Sequence, residues 1–225
     1  MGAQMKFKDR TDAGKQLAAR LGAYRKRPDV LVLALPRGGV PVAAEVADAL
    51  EAPLDVFLVR KLGVPGQEEI AMGAVASGGV RILNEEVVEY FGLSWPVIEE
   101  VTAHERRELE RRERRYRHGL DPIDPRGKTV LLVDDGLATG STMLAGLEAL
   151  RRLGPGSIVV AVPVAPPSTV RKLAAHADDV VCVLTHEPFD AVGHFYENFL
   201  QASDEEVCTI LERARASCPT HSFSH

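Results

Sequence analysis

Cysteine is scarce in this chain. Three in 225 residues, Cys182, Cys208 and Cys218, are too few and too scattered for a disulfide framework or a zinc site. No run of about 18 apolar residues occurs, which excludes a bilayer-spanning helix. There is no basic excess either. With 27 Lys+Arg against 32 Asp+Glu the net charge is -5, so no whole-chain field draws in nucleic acid or an anionic membrane. Met1 to Arg10 is polar and lacks an apolar signal core, and with so few cysteines the expected compartment is the reducing cytoplasm. Internal repeats and long low-complexity tracts are absent. His104, His118, His176, His186 and His194 show no metal-ligand spacing; His194 is the one worth testing. What remains is an ordinary globular composition, 45% apolar and 26% charged, and a length suited to one large domain over residues 1–225.

Short apolar runs alternate with helical patterns. Val30–Leu35, Leu54–Val59, Thr129–Val133, Ser157–Val162 and Val180–Leu184 are continuous apolar stretches, as strands covered on both faces require. Between them, Val40–Leu50, Thr142–Leu153 and about Ser168–Ala177 have helical spacing, and Gly154-Pro155 stops the second. The alternation predicts βαβ units, hence an α/β protein with a parallel sheet covered by helices, and ligands beyond the carboxyl ends of its strands. Residues 84–124 interrupt it with two helices, Glu85–Phe91 and Pro96–His118. Residues 104–118 hold seven Arg and four Glu, so this is either a solvated helix with i,i+4 pairs or a basic face for RNA or a partner subunit. The tail from Ser217 to His225 is expected to fray.

The most informative segment runs Val130-Leu131-Leu132-Val133-Asp134-Asp135-Gly136-Leu137-Ala138-Thr139-Gly140-Ser141-Thr142. A strand delivers two carboxylates, a loop of small and hydroxyl-bearing residues follows, and a helix begins. Unsatisfied amides at the helix start, with the helix dipole, suit a phosphate. Thr139, Ser141 and Thr142 add hydroxyl donors, and Gly140 lets the backbone come close. The two carboxylates need hydroxyl donors or a cation beside that phosphate, and a sugar phosphate with a vicinal diol meets the need. The segment has no Walker lysine, and no G-x-G-x-x-G follows a strand. Read alone, Asp135-Gly136 is no more than a turn.

This stretch resembles the signature for 5-phosphoribosyl 1-diphosphate (PRPP) of type I phosphoribosyltransferases, and is most similar to the adenine-type members. The resemblance implies a three-layer αβα core with a small C-terminal hood, residues 84–124 as a helical insertion, and residues 186–216 as hood and C-terminal helix. It implies that Asp134 and Asp135 contact the ribose hydroxyls directly or through Mg²⁺, and that Ala138, Thr139, Gly140, Ser141 and Thr142 wrap the 5′-phosphate. Leu35-Pro36-Arg37-Gly38-Gly39 is similar to the family's diphosphate loop, where a cis peptide is usual. Arg60 and Lys61 match a basic dipeptide that precedes a mobile lid, here Gly63 to Glu69. In the hood, Phe189 is the candidate for stacking on the base and Val192 for backbone contact. The hypoxanthine-type enzymes carry an Asp at the position of Ala138 and a Lys after the fourth strand. Neither is present, which lowers the case for a 6-oxopurine substrate.

The implied activity is Mg²⁺-dependent transfer of the phosphoribosyl group of PRPP to a nitrogenous base, a step of nucleotide metabolism, in a homo-oligomer. Arg37 and Lys61, helped by Arg60, would stabilise the leaving group while Asp134 and Asp135 hold the ribose. Glu68, Glu69 and Asp190 are the only guesses for a general base. Two other readings stay open: a regulator that binds PRPP or a nucleotide without turnover, and a hydrolase of ribosyl phosphates on the same scaffold.

Overall fold

In the computed structural model the described residues are 6–217. The chain runs α1 (Arg10–Arg20), β1 (Val30–Ala34), α2 (Gly39–Leu50), β2 (Leu54–Val56), β3 (Val59–Val64), β4 (Gln67–Ala76), β5 (Val80–Leu83), α3 (Glu85–Tyr90), α4 (Trp95–Arg117), β6 (Thr129–Val133), α5 (Ser141–Arg151), β7 (Ser157–Ala165), α6 (Pro167–Ala174), β8 (Asp179–Thr185), a 3-10 turn (Val192–Phe195) and α7 (Asp204–Ser217). Among the described residues no helix is long and apolar enough to cross a membrane.

The main sheet is parallel, in the order β2-β1-β6-β7-β8, with Val32 opposite Leu131 and Leu131 opposite Val159. Every residue of β1 and β6 is buried, which explains their unbroken apolar character. Alternate side chains serve opposite faces. Val30, Val32, Ala34, Leu131 and Val133 pack beneath α1, α2 and α7. Leu31, Leu33, Val130 and Leu132 pack against α5 and α6. The three αβα layers follow from that period of two.

The run Leu54–Val59 is not one strand. β2 ends at Val56, and β3 begins at Val59 in a separate antiparallel sheet, β3-β4-β5. Phe57 and Leu58 are both buried, but in different clusters, so the changeover leaves no polar mark in the sequence. The stretch expected to be a lid, Gly63 to Glu69, is the turn of the β3–β4 hairpin and its flanks, with Gly66 at φ 79°.

The insertion forms α3 and α4 as expected. Asn84 caps α3 through the Val87 amide, and His118 and Gly119, at positive φ, end α4. A buried ion pair fastens the far end of α4: Arg117 Nε donates to both oxygens of Asp55 (3.0 and 3.1 Å), and Nη2 donates to the Val56 carbonyl. The Ile123 amide also donates to Asp55. The fraying expected after Ser217 falls on residues 218–225, outside the described residues, as does Cys218.

Candidate active site

β6 ends at Val133 and delivers Asp134 and Asp135 at the carboxyl edge of the sheet, next to the loop that follows β1. Asp134 Oδ1 accepts the Asp135 amide at 2.8 Å. Burial pushes both carboxyls above the usual range. The charge of Asp135 raises Asp134 further, whereas Arg10 opposes the rise at Asp135. Arg10 Nε donates to Asp135 Oδ2 at 2.8 Å and Nη1 to the Leu200 carbonyl at 2.6 Å, with the guanidinium 4.0 Å over the Phe199 ring. Tyr196 fixes the same stretch of backbone, its hydroxyl donating to the Asp135 carbonyl.

After the carboxylates the chain turns into a loop and helix with open donors. Ala138, Thr139, Ser141 and Thr142 are exposed. Thr169 Oγ1 donates to the Ala138 carbonyl at 2.6 Å and pins the loop from α6. Gly140 stands at φ 70° as N-cap of α5, and no side chain caps that helix. The Ser141 amide reaches Thr139 Oγ1 only at 3.5 Å, and the amides that follow it at the start of α5 are open to an anion.

The loop after β1 meets the carboxylates from the other side. Its Pro36–Arg37 peptide is cis, as the resemblance implies. A Cβ on Gly38 would overlap the Asp135 carboxylate, and one on Gly39 would lie 2.8 Å from the Val133 carbonyl oxygen, so both positions need glycine for this approach. Arg37 Nη1 lies 3.6 Å from Asp204 Oδ1 at the start of α7. Between the loop, the hood and the insertion is a cleft of about 500 Å³, walled by Arg10, Arg37, Arg112, Asp135, Val192 and Phe199 among others.

The structure therefore brings together Asp134, Asp135, Arg37, Gly38, Gly39 and Val192, with the Ala138–Thr142 loop following the carboxylates. Of the side chains expected to meet the leaving group or the base, three lie off the cleft wall. Arg60 is bound to Glu105 of α4 at 2.5 Å. Lys61 is exposed, 3.7 Å from Glu69. Neighbours in one strand point to opposite faces, so β3 cannot aim both cations at one ligand. Phe189 stacks on Phe195, with centroids 4.9 Å apart, inside the hood; Phe199 presents the ring at the cleft instead. Glu68, Glu69 and Asp190 are exposed and off the wall, and His194 lies 3.8 Å from Asp190.

Arg10, Arg112 and Tyr196 are the residues that sequence reasoning missed. Arg10 opens a helix with a single large buried residue, Leu17, and nothing local ties it to Asp135. Arg112 is one of seven arginines in the same helix stretch. Tyr196 follows Phe195 and precedes Phe199 in the sequence, and nothing local singles it out.

Known proteins resemble this chain in sequence and fold. The crystal structure of TT1426 from Thermus thermophilus is 43% identical and aligns over 93% of this chain and 99% of that one, with a TM-score of 0.82. A Mycobacterium tuberculosis protein, named only provisionally as a phosphoribosyl transferase, is 49% identical over 208 residues. That alignment takes in 92% of this chain and 47% of the relative, so the chain spans about half the length of such curated relatives. The bifunctional protein PyrR of Chloroflexus aurantiacus is 37% identical over 131 residues, 56% of this chain and 65% of its own. Residues 7–194 match the model of the phosphoribosyl transferase domain, and the chain belongs to that family.

Proposed function

We propose that this chain is a Mg²⁺-dependent phosphoribosyltransferase that moves the phosphoribosyl group of PRPP to a nitrogenous base and releases diphosphate. One observation carries the reading: two adjacent carboxylates at the end of β6 stand between an uncapped helix N-terminus and an arginine-walled cleft. That is a seat for a pentose with a phosphate on one side and an anionic leaving group on the other.

The 5′-phosphate rests on the amides and hydroxyls of Thr139–Thr142. The ribose hydroxyls donate to Asp134 and Asp135. The bond from the anomeric carbon to the diphosphate oxygen breaks, and its electron pair leaves with the diphosphate. A ring nitrogen of the base then supplies the lone pair for the new bond. Positive charge on the sugar grows beside the two carboxylates, and negative charge on the leaving group grows beside Arg37. Holding both reactants in one cleft supplies much of the remaining acceleration.

Two neighbouring carboxylates that burial makes proton-hungry also fit a divalent cation. No cluster of three or more His, Cys, Asp or Glu side chains exists among the described residues. A cation there would share Asp134 and Asp135 with substrate oxygens and water, the donor set that Mg²⁺ prefers. When bound, Mg²⁺ supplies charge neutralisation at the diphosphate.

The test incubates the protein with PRPP, Mg²⁺ and a panel of purine and pyrimidine bases and measures diphosphate. Release that depends on one base, and falls at least a hundredfold in Asp135→Asn, supports transfer. Release without any base means a hydrolase. Tight PRPP binding without release means a sensor. Full activity in Asp135→Asn refutes the ribose site.

A further inference from the structure

We infer that the insertion helix α4 is a working wall of the leaving-group subsite, and that Arg112 binds the condensed phosphate of substrate and product. The inference rests on the phosphoribosyl reading above and adds a residue that the PRPP signature does not contain.

Positions 105, 109, 112 and 116 share one face of a helix. Three of them are fixed by their surroundings. Glu105 holds Arg60, Leu109 is buried in the core, and the Tyr116 hydroxyl donates to Asp204 Oδ1 at 2.7 Å. Arg112 lies between them and reaches the cleft. Glu108, one turn back, accepts from its Nε at 2.8 Å. Neither terminal nitrogen of Arg112 has a hydrogen-bond partner among the described residues. A guanidinium tethered by Nε with both ends free is preorganised for two oxygens of one phosphate.

α4 also acts on the second cation. Asp204, the partner of Arg37, is held from the helix by Tyr116 and by Arg115 Nη1 at 2.9 Å. Arg10 is the third cation, with Nε and Nη1 engaged and Nη2 without a partner among the described residues. Among the described residues Asp135 is the only acidic one on the cleft wall itself, and Glu108 and Asp204 meet Arg112 and Arg37 from off the wall. An excess of N–H donors over acceptors calls for a ligand rich in anionic oxygen, as a diphosphate is. The cations expected from Arg60 and Lys61 thus come from α1 and the insertion instead.

Most other charges on α4 are already matched: Arg111 to Glu108, Arg114 to Glu110, Arg117 to Asp55. The Arg-rich sequence is therefore no uniform basic face. Arg112 faces the cleft, Arg111, Arg114, Arg115 and Arg117 are held by carboxylates, and Arg106 and Arg107 are exposed without an ion pair among the described residues.

The test is calorimetric titration of the full chain, with Mg²⁺, using diphosphate, PRPP and ribose 5-phosphate as separate probes. Arg112→Gln is expected to weaken diphosphate and PRPP by about ten- to a hundredfold, the usual range for a charged hydrogen bond. Ribose 5-phosphate affinity should not move. Arg112→Lys should recover part of the loss, and Arg106→Gln, on an exposed position of the same helix, should change nothing. Unchanged diphosphate and PRPP affinity in Arg112→Gln overturns the assignment and leaves the phosphoribosyl reading intact. An equal loss of ribose 5-phosphate overturns it too, because the damage is then general. A wild-type protein that binds neither PRPP nor ribose 5-phosphate removes both readings.

Discussion

Asp134→Asn should make the protein more stable and less active. The charged form of Asp134 sits in a place that disfavours an anion. Burial raises its pKa, and Asp135, the next residue, raises it again. Its recorded hydrogen bond is a single backbone amide, that of Asp135. The one cation nearby, Arg10, is bonded to Asp135 instead. Asparagine keeps the Oδ1 acceptor for that amide, removes the charge, and offers an N–H₂ to the neighbouring carboxylate. Relief of this kind at a functional site is worth about 1–2 kcal/mol. For a chain of this size that is a rise in Tm of about 2–8 °C.

The pH dependence has a definite sign. The folded pKa lies above the unfolded one, so between the two the folded state binds the extra proton and stability falls as pH rises. Wild type therefore closes on Asp134→Asn in acid, near the ordinary carboxylate pKa. The gap opens as pH climbs through the raised value and is constant above it. Thermal melts from pH 4 to 8 without Mg²⁺ or phosphate read this directly. A variant that melts below wild type at pH 7, or a gap that ignores pH, refutes the reasoning. Base-dependent diphosphate release should drop in the same variant.

Two further outcomes concern the insertion. Thr102 on α4 is buried, and its hydroxyl has no hydrogen-bond partner among the described residues; Thr102→Val, nearly the same shape, should raise the urea-unfolding free energy by about 1 kcal/mol, and a loss of that size would contradict it. Asp55→Ala should cost about 3–5 kcal/mol because it strands the buried Arg117 guanidinium; a cost below about 1 kcal/mol in urea unfolding means that water reaches Arg117 and the pair is not the anchor of α4.

The sequence made some of this legible and concealed the rest for identifiable reasons. The strands of the main sheet are plain because burial on both faces removes every polar residue but Thr129 from Val30–Ala34 and Thr129–Val133. The paired carboxylates and the loop proposed to seat a phosphate are plain because a strand-to-helix turn places them in one contiguous stretch of sequence. The antiparallel sheet β3-β4-β5 went unread. Its first strand continues an apolar run without a break, and β4 begins with four residues of low apolar content, Gln67-Glu68-Glu69-Ile70. Helix α1 escaped for the opposite reason: Ala13, Gly14, Leu17 and Ala18 make its buried face from mostly small side chains. The cleft arginines were hidden because they converge from distant parts of the chain. Residues 10, 37 and 112 meet only through the packing of α1, α4 and the β1 loop, and local pattern carries no trace of that.

The placement of Arg10 also shows how the hood is tied to the sugar site. The segment before α1 runs beside the hood: the Phe7 amide donates to the Phe195 carbonyl, the Glu197 amide to Phe7, and the Asn198 amide to Lys8. Phe7 is buried against Tyr196, with ring centroids 5.4 Å apart. Two residues on from Lys8, Arg10 joins Phe199 and Leu200 of the hood to Asp135. The contact does not close the sugar site. An ionised carboxylate has about four acceptor positions, and Arg10 engages Oδ2 alone, so Oδ1 is left for a ribose hydroxyl. The guanidinium instead resists the rise that burial imposes on Asp135 and favours the charged form. Asp134 has no such partner. Of two adjacent carboxylates, both raised by burial, Asp135 has a hydrogen-bonded arginine that opposes the rise and Asp134 has a backbone amide instead. This asymmetry is the reason that Asp134→Asn, rather than a change at Asp135, is expected to stabilise the protein while lowering its activity.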